Sequence, residues 1–222
     1  MAIKNLLRDI GTEEYLLLFS SPINFRNDIA TLQPYKGNRN EDSKPKLYSE
    51  IKEFLKKNYH YKEVEGYEAD DLLAIYYNEF DHNLEGKAII VSQDKDLSQV
   101  PGWHWHMGTE EHNKYGKKGE KFFISEEEGL RNFYKQLLTG DATDTIPGLY
   151  QITGEKCRKK YIDQFDYFDN EPEGQYFDAV LALYANGLKV KDYEDLECLF
   201  WETANLLYLR RSFDDKGWEI PV

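Results

Sequence analysis

The chain has 222 residues, of which 41% are hydrophobic and 31% charged, and it carries a formal net charge of −13. A chain of this length can bury a sizeable core. No apolar run is long enough to span a bilayer and the N-terminal residues have no secretory pattern, so we expect a soluble cytoplasmic protein with no membrane partner. The acidity does not exclude nucleic acid, because carboxylates that bind cations are neutralised and DNA meets only a local patch of surface.

The first half of the chain predicts strands alternating with helices. A short apolar run predicts a buried strand over 15–20, and a long loop follows over 22–45. Apolar residues at helical spacing predict helices over 45–58 and 68–80, and a β-branched run predicts a buried parallel-type strand over 87–92.

The second half is predicted to be mostly helical. It opens with a β-hairpin over 101–124, and the helices that follow are expected over 126–138, 155–165, 174–186 and 193–211. We therefore expect an α/β core over residues 1–138, with a mixed, mostly parallel central sheet, and a helical part over 139–222 that packs with it as one unit.

No cysteine and histidine pattern predicts a zinc site. Cys157 and Cys198 lie in helical stretches without metal-ligand spacing, and we expect free thiols. His104 and His106 alternate with tryptophans along one arm of the hairpin, and we expect them on its surface.

The most informative feature is a set of three acidic clusters, each at the boundary of a predicted element. The clusters are Glu68, Asp70 and Asp71 at the start of a helix, Asp94 and Asp96 after the strand at 87–92, and Asp141 and Asp144 before Ile146-Pro147-Gly148. Taken singly, each is also explained by a helix cap, an Asx turn or the helix dipole. Taken together, they favour a site for two hard divalent cations, which take oxygen ligands and hold phosphate-rich substrates.

Cationic and aromatic side chains in the long loop suit phosphate chemistry. Arg26 and Arg39 are candidates for bidentate phosphate contact, Lys36 for charge stabilisation, and Tyr35 for stacking on a base. A solvated loop without a function remains the alternative on composition alone.

Taken in order, these segments resemble the flap endonuclease / 5′–3′ exonuclease family, particularly its bacteriophage members. The matching stretches are 24–26 with 35–39, then 66–71, 91–97 and 139–148. The resemblance implies a PIN-like nuclease core and a Mg²⁺-dependent (or Mn²⁺-dependent) phosphodiesterase, with two metal ions, that acts on 5′ ends and branched DNA. It implies that all seven acidic residues are metal ligands, that Asp70 and Asp94 are catalytic, and that Lys36 and Arg39 lie over the scissile phosphate.

The resemblance also implies a DNA-binding helix–turn–helix variant after Ile146, often built around a potassium ion. The residues that fit this segment are Gly148, Gly154, Lys156 and Lys160. The paired glycines usual in the family are reduced to one here, since Gln151 and Thr153 stand where glycine is common.

One departure from the family pattern leaves alternatives open. Members open with a strand that bears an aspartate, and residues 1–14 offer no equivalent, because Asp9 lies in a helical-looking stretch. We therefore expect either a nuclease that obtains this strand from a second chain or does without it, or a member that binds branched DNA or a partner without cutting. An acidic mimic of DNA is a third possibility, and the clustering of the carboxylates by motif argues against it.

Overall fold

The computed structural model describes residues 2–39, 44–84, 88–107, 119–149, 151, 173–188 and 193–221. Its first half alternates helices and short strands: α1 (Ala2–Ile10), β1 (Leu17–Phe19), α2 (Arg26–Ile29), α3 (Tyr48–Asn58), β2 (Tyr61–Glu63), α4 (Ala69–Leu84) and β3 (Ile90–Ser92). A 3₁₀ helix (Lys95–Gln99) follows, and then β4 (Gly102–His106), β5 (Lys121–Ile124), α5 (Glu126–Thr139), β6 (Gly140–Asp141), β7 (Ile146–Pro147), α6 (Glu173–Leu188) and α7 (Tyr193–Leu207). The α/β class is confirmed. The helix predicted over 155–165 lies outside the described residues.

The described strands form three separate sheets, and two of these contain a parallel pair. Strand β1 runs parallel to β2, with Leu18 opposite Lys62. Strand β3 runs parallel to β4, which pairs antiparallel with β5, and β6 and β7 form a small antiparallel hairpin. Ser20 directly follows β1, and Asp94 comes shortly after β3. Both residues lie close to the start of the acidic helix α4, since Ser20 hydrogen-bonds to Ala69 and the charge of Asp94 acts on Asp70.

The hairpin β4–β5 leads into α5 through local signals. The hydroxyl of Ser125 accepts a hydrogen bond from the Glu128 amide at 3.1 Å, and the Glu128 carboxylate accepts one from the Ser125 amide at 3.0 Å. This capping box satisfies amide groups that a helix start would otherwise leave unpaired. The helix accordingly begins at Glu126, as expected from the sequence.

The prediction that His104 and His106 lie on the hairpin surface is wrong. They are 5% and 7% exposed, because the histidine face of β4 turns inward and Trp103 and Trp105 take the other face. His104 stacks on Phe122 and its Nε2 lies 2.8 Å from the Val100 carbonyl oxygen, and burial lowers its pKa.

A core cluster joins α5 to the C-terminal helices. Leu137 and Tyr134 of α5, Tyr176 of α6 and Phe200 of α7 are all fully or almost fully buried in it. The side chain of Gln99 adds a polar link, donating to the Leu207 carbonyl at 2.9 Å and accepting from the Leu209 amide at 3.0 Å. Elements on both sides of residue 139 therefore share one core.

Helix α3 leaves much of its apolar surface exposed. The helix expected over 45–58 is present as α3, but its apolar residues Leu47, Ile51 and Phe54 are more than half exposed in the described structure. In the part of the chain that is described, no helix has the length and apolar character needed to cross a membrane. Cys198 is a free, exposed thiol, and Cys157 lies outside the described residues.

Candidate functional site

The start of α4 sends its acidic side chains in different directions. Ser20 holds the helix start, because its hydroxyl accepts from the Ala69 amide at 2.9 Å. Asp71 points inward and is 0% exposed, whereas Glu68 and Asp70 remain partly accessible. The helix thus divides its carboxylates between the interior and the candidate site.

Arg26 and Asp71 form a buried ion pair. The Nη1 and Nη2 atoms of Arg26 lie 2.6 and 2.9 Å from the two Asp71 oxygens, and Arg26 is only 2% exposed. Arg26 also donates to the carbonyl oxygens of Leu206 and Tyr208, each at 2.9 Å. In the described structure Arg26 is therefore buried, and both Asp71 oxygens accept hydrogen bonds from its guanidinium; the DNA-binding role of Arg26 and the metal-binding role of Asp71 stay predictions.

Lys36 joins the first acidic cluster to the third. Its ammonium group pairs with Glu68 and lies 3.4 Å from Asp144. The hydroxyl oxygen of Tyr35 lies 2.6 Å from Glu68 and 2.9 Å from Asp144, so the two carboxylates share its one proton. Arg39 pairs with Asp144 at 2.5 Å and keeps 52% of its side chain exposed. The long loop therefore brings its cations and the Tyr35 hydroxyl to the carboxylates, and stacking of Tyr35 on a base stays a prediction.

The backbone of this loop is fixed as well as its side chains. Lys36 has a φ of 55°, in the left-handed region, and its amide donates to the Asp144 carbonyl at 2.8 Å. Asn38 donates to the Ala142 carbonyl, also at 2.8 Å. The loop and the hairpin β6–β7 are thus joined by one main-chain hydrogen bond and one hydrogen bond from the Asn38 side chain to the main chain.

The second and third acidic clusters meet through Lys95. Asp94 caps the 3₁₀ helix by accepting from the Asp96 amide at 2.9 Å, while the Lys95 ammonium lies 2.8 Å from Asp141 and 3.1 Å from Asp96. Gln136 of α5 also donates to Asp96. Sequence reasoning gave no role to Lys95 or Gln136. The alternation of Asp94, Lys95 and Asp96 was the available signal for Lys95, whereas Gln136 has none.

Two glycines shape the turn that carries Asp141 and Asp144. A Cβ on Gly148 would meet the Gly140 amide nitrogen at 2.2 Å, so the backbones touch where β6 and β7 pair. Asp141 then accepts from the Thr143 amide at 2.7 Å, which fixes the turn. Gly148 is buried and its amide donates to the Gln151 side chain at 2.9 Å; its DNA-binding role stays a prediction. Gly154, Lys156 and Lys160 lie outside the described residues.

Burial, together with neighbouring charges, raises the pKa values of two carboxylates in the site. Burial, followed by the charges of Asp94 and Glu68, raises the pKa of Asp70 to about 7. Burial also raises the pKa of Asp96 to about 7, with Asp94 and Asp141 adding to the effect of burial and Lys95 opposing it. Burial and neighbouring carboxylates therefore both favour the protonated forms of Asp70 and Asp96.

Two other carboxylates, Glu68 and Asp141, have lowered pKa values because their cationic partners outweigh burial. Burial disfavours ionisation of Glu68, but Lys36 and Arg26 bring its pKa below the usual value. Lys95 likewise lowers the pKa of Asp141 against the effect of burial.

The chemistry of these donors fits a hard divalent cation. Carboxylate oxygens are the ligands that Mg²⁺ and Mn²⁺ favour, and the raised pKa values of Asp70 and Asp96 mark where added positive charge would stabilise the ionised forms. As the side chains stand, the described residues contain no group of three acidic, histidine or cysteine side chains close enough to hold a metal ion. Lys36, Lys95 and Arg39 form ion pairs with several of these carboxylates.

A match to a family model agrees with this combination of fold and site. Residues 1–126 match the 5′-3′ exonuclease, N-terminal resolvase-like domain, and this match covers more than half of the chain. The chain therefore belongs to the 5′-3′ exonuclease family.

Its relatives include bacterial DNA polymerases. The chain is 28% identical over 172 residues to a DNA polymerase I of Borreliella burgdorferi, covering 74% of this chain and 18% of that protein. It is 31% identical over 110 residues to a DNA polymerase I of Rhizobium leguminosarum, covering 48% of this chain and 10% of that protein. The chain thus spans less than a fifth of the length of these relatives.

Similar solved structures include nucleases of bacteriophage T5. One is a flap endonuclease in a pseudo-enzyme–product complex with DNA and metal ions, at 18% identity and a TM-score of 0.46, with 93% of this chain and 82% of that chain covered. Another is a 5′-exonuclease with bound zinc, at 15% identity and a TM-score of 0.45, with 93% and 89% covered.

Proposed function

We propose that this chain is a divalent-metal-dependent, structure-selective 5′ nuclease that hydrolyses DNA phosphodiesters at 5′ ends or branches, in phage DNA replication or degradation. The observation that carries the proposal is the position of Lys36, whose ammonium contacts carboxylates from two separate acidic clusters, Glu68 and Asp144. A phosphate-binding cation and metal-binding carboxylates in one place are the components that phosphodiester hydrolysis requires.

The carboxylates divide into two groups by their neighbours. The charges of Asp94 and Glu68 raise the pKa of Asp70, and these three carboxylates would hold one divalent cation. Asp96 and Asp141 share Lys95, and with Asp144 they would hold a second. Bound cations would supply positive charge to the phosphodiester and lower the pKa of water beside it. Asp71 is left out of this set because Arg26 occupies its oxygens.

Lys36 and Arg39 would exchange their carboxylate partners for the phosphate. Arg39 is suited to this, since half of its side chain is exposed and Asp144 is its partner in the described structure. Its planar guanidinium matches two phosphate oxygens at once. Lys36 is less exposed and supplies a compact charge beside the reacting group. Both residues therefore have a place in binding DNA and in offsetting charge during the reaction.

A second candidate is a member of the family that binds branched DNA, or a second chain, without cutting on its own. The observation that favours it is the division of the described parallel strands between separate sheets, β1–β2 and β3–β4–β5. A strand from another polypeptide adds to a sheet edge through main-chain hydrogen bonds, and in this candidate such a strand would complete the site.

The test is cleavage of a labelled 5′-flap DNA by the purified chain with Mg²⁺ or Mn²⁺, alongside a single-stranded and a blunt duplex DNA. The proposal expects cleavage of the flap substrate that EDTA abolishes and that Asp94→Asn reduces by at least ~10²-fold. Asp214→Asn, a change of the same type at an exposed position, should keep full activity. Tight flap binding without cleavage would support the second candidate, and absence of both would overturn the assignment to DNA.

A further inference from the structure

Glu202 of α7 is a buried carboxylate far from the acidic clusters in sequence. It is 7% exposed, and its oxygens face the loop that carries Lys36 and Arg39. Oε1 accepts from the amides of Thr31 and Leu32, at 2.8 and 2.9 Å, and Oε2 accepts from the Thr31 hydroxyl. Within the described residues Glu202 makes no ion pair, so these three donors are what offset its burial.

The hydrogen bonds of Glu202 lie at the start of the loop that carries Lys36 and Arg39, directly after α2; we call this point the loop entrance. Thr31 precedes Lys36 by five residues, and the far end of the loop is fixed to the hairpin β6–β7 by the Lys36 amide and the Asn38 side chain. Ala30 and Tyr35 pack against the core cluster that contains Phe200 of α7. The loop is therefore attached at two ends, and Glu202 makes the polar attachment at the entrance.

The carboxylate is well matched to this task. A single oxygen accepts two adjacent main-chain amides, which fixes the direction of the chain at Thr31 and Leu32. Charge-assisted hydrogen bonds of this kind are shorter and stronger than those of a neutral acceptor. Removing the side chain leaves the two amides and a hydroxyl without their partner and frees the loop entrance.

We propose that Glu202 is a positioning residue, which sets the place of Lys36 and Arg39 over the acidic site from a helix 170 residues further along the chain. The proposal rests on the proposed nuclease function, in which those two cations contact the reacting phosphate. A shift of about 1 Å in a group that acts on the reaction costs up to ~10²-fold in rate, even when its cause is remote. Glu202 itself touches neither DNA nor metal.

The expected kinetic result is a loss of kcat with little change in KM. Glu202→Ala should lower kcat by ~10- to 100-fold and leave KM within about threefold, because the phosphate contacts persist but are misplaced. Glu202→Gln keeps an oxygen for the two amides, and we expect it to retain most of the wild-type kcat.

Two variants on the same helix separate positioning from general loss of stability. Asn205 is buried, and its side chain donates to the Trp201 and Trp218 carbonyls without touching the loop. Asn205→Ala should lower stability and leave kcat unchanged when it is assayed while folded. Glu197→Gln, at an exposed site, should change neither quantity.

Hydrogen exchange supplies a readout that does not depend on cleavage. In Glu202→Ala the Thr31, Leu32 and Lys36 amides should exchange at least ~10-fold faster, whereas Asn205→Ala should leave them as protected as in the wild type. If these amides exchange faster in Glu202→Ala but the wild-type chain does not cleave DNA, the nuclease function is overturned and the positioning role of Glu202 is kept. Unchanged exchange of the Lys36 amide, or an equal loss of kcat in Asn205→Ala, would overturn the role of Glu202.

Discussion

The guanidinium of Arg26 makes two hydrogen bonds, of 2.6 and 2.9 Å, to the carboxylate of Asp71 in the interior of the protein. The same guanidinium reaches the main-chain carbonyls of Leu206 and Tyr208. One buried pair thus ties α2 to the acidic helix and to the segment that ends α7.

Breaking this pair from one side should be strongly destabilising. Arg26→Met leaves the Asp71 carboxylate buried with its main cationic partner gone, and such changes cost about 3–5 kcal/mol. The measurement is the free energy of unfolding in urea. Arg39→Met is the matched control, because its exposed ion pair with Asp144 should contribute less than about 1 kcal/mol. A loss below about 1 kcal/mol for Arg26→Met would contradict the structural role.

The double variant Arg26→Met/Asp71→Leu extends this prediction. It removes both charges together, so its loss of stability should be smaller than the sum of the losses of the two single variants. Additive losses would mean that the two side chains do not stabilise the protein as a pair.

Because of Asp70, we expect the free energy of unfolding to fall as pH rises when no divalent cation is present. Its pKa is about 7 in the folded protein and about 3.9 in an unfolded chain, so the folded state binds the proton more tightly. Stability from this group is lost as pH rises from about 4 to 7, and Asp70→Asn should remove that loss. Since each pKa unit corresponds to about 1.4 kcal/mol and the side chain is partly exposed, we expect the variant to be more stable by about 1–2 kcal/mol at pH 8.

The measurement is thermal unfolding with EDTA across pH 4–8, with Asp28→Asn as the control at an exposed site. Adding Mg²⁺ should stabilise the wild type more than Asp70→Asn, because a bound cation favours the ionised carboxylate. Equal stabilisation of the two proteins would contradict the proposed role of Asp70 as a metal ligand.

Arg39→Ala should weaken DNA binding in a way that depends on salt. If Arg39 contacts one phosphate, its loss should make the slope of log affinity against log salt shallower by about 1. Fluorescence anisotropy with a flap DNA in Ca²⁺, at several salt concentrations, measures this slope. Lys216→Ala removes an exposed charge outside the site and should leave the slope near the wild-type value. An unchanged slope for Arg39→Ala would separate this residue from the phosphate.

Gly148→Ala should disrupt the hairpin that carries Asp141. The added Cβ would lie 2.2 Å from the Gly140 nitrogen and 2.4 Å from the Thr139 carbonyl carbon, so the backbone has to move. Overpacking of this kind costs about 1–3 kcal/mol or more. Gly174→Ala, at the start of α6, meets nothing within 4 Å and should be neutral or slightly stabilising. Urea unfolding compares the two, and equal stabilities would contradict the close backbone contact.

Local signals explain which parts of the fold the sequence predicts well. Helix α5 is bounded by a capping box that uses only Ser125 and Glu128, and β4 and β5 are close in sequence and pair directly. The inward turn of His104 is different. Histidine and tryptophan alternate along β4 with the same period, so the pattern cannot tell which face meets the core, and Phe122 and Val100 decide it.

The candidate site shows the same division between local and distant causes. The three acidic clusters are visible in the sequence because each is a short motif at an element boundary. The burial of Arg26 is not visible, because its carbonyl partners lie 180 and 182 residues away. The part played by Glu202 is hidden for the same reason, since its partners are main-chain amides that every residue possesses.

The left-handed backbone conformation of Lys36 and the ion pairs of its side chain affect stability in opposite directions. A non-glycine residue at a φ of 55° carries a conformational cost of about 1 kcal/mol or more, which glycine would relieve. Glycine has no ammonium group with which to hold Glu68 and Asp144 together. Lys36→Gly would therefore relieve the backbone and remove both ion pairs in one step, so glycine at position 36 cannot combine an unstrained turn with the link between the two carboxylates.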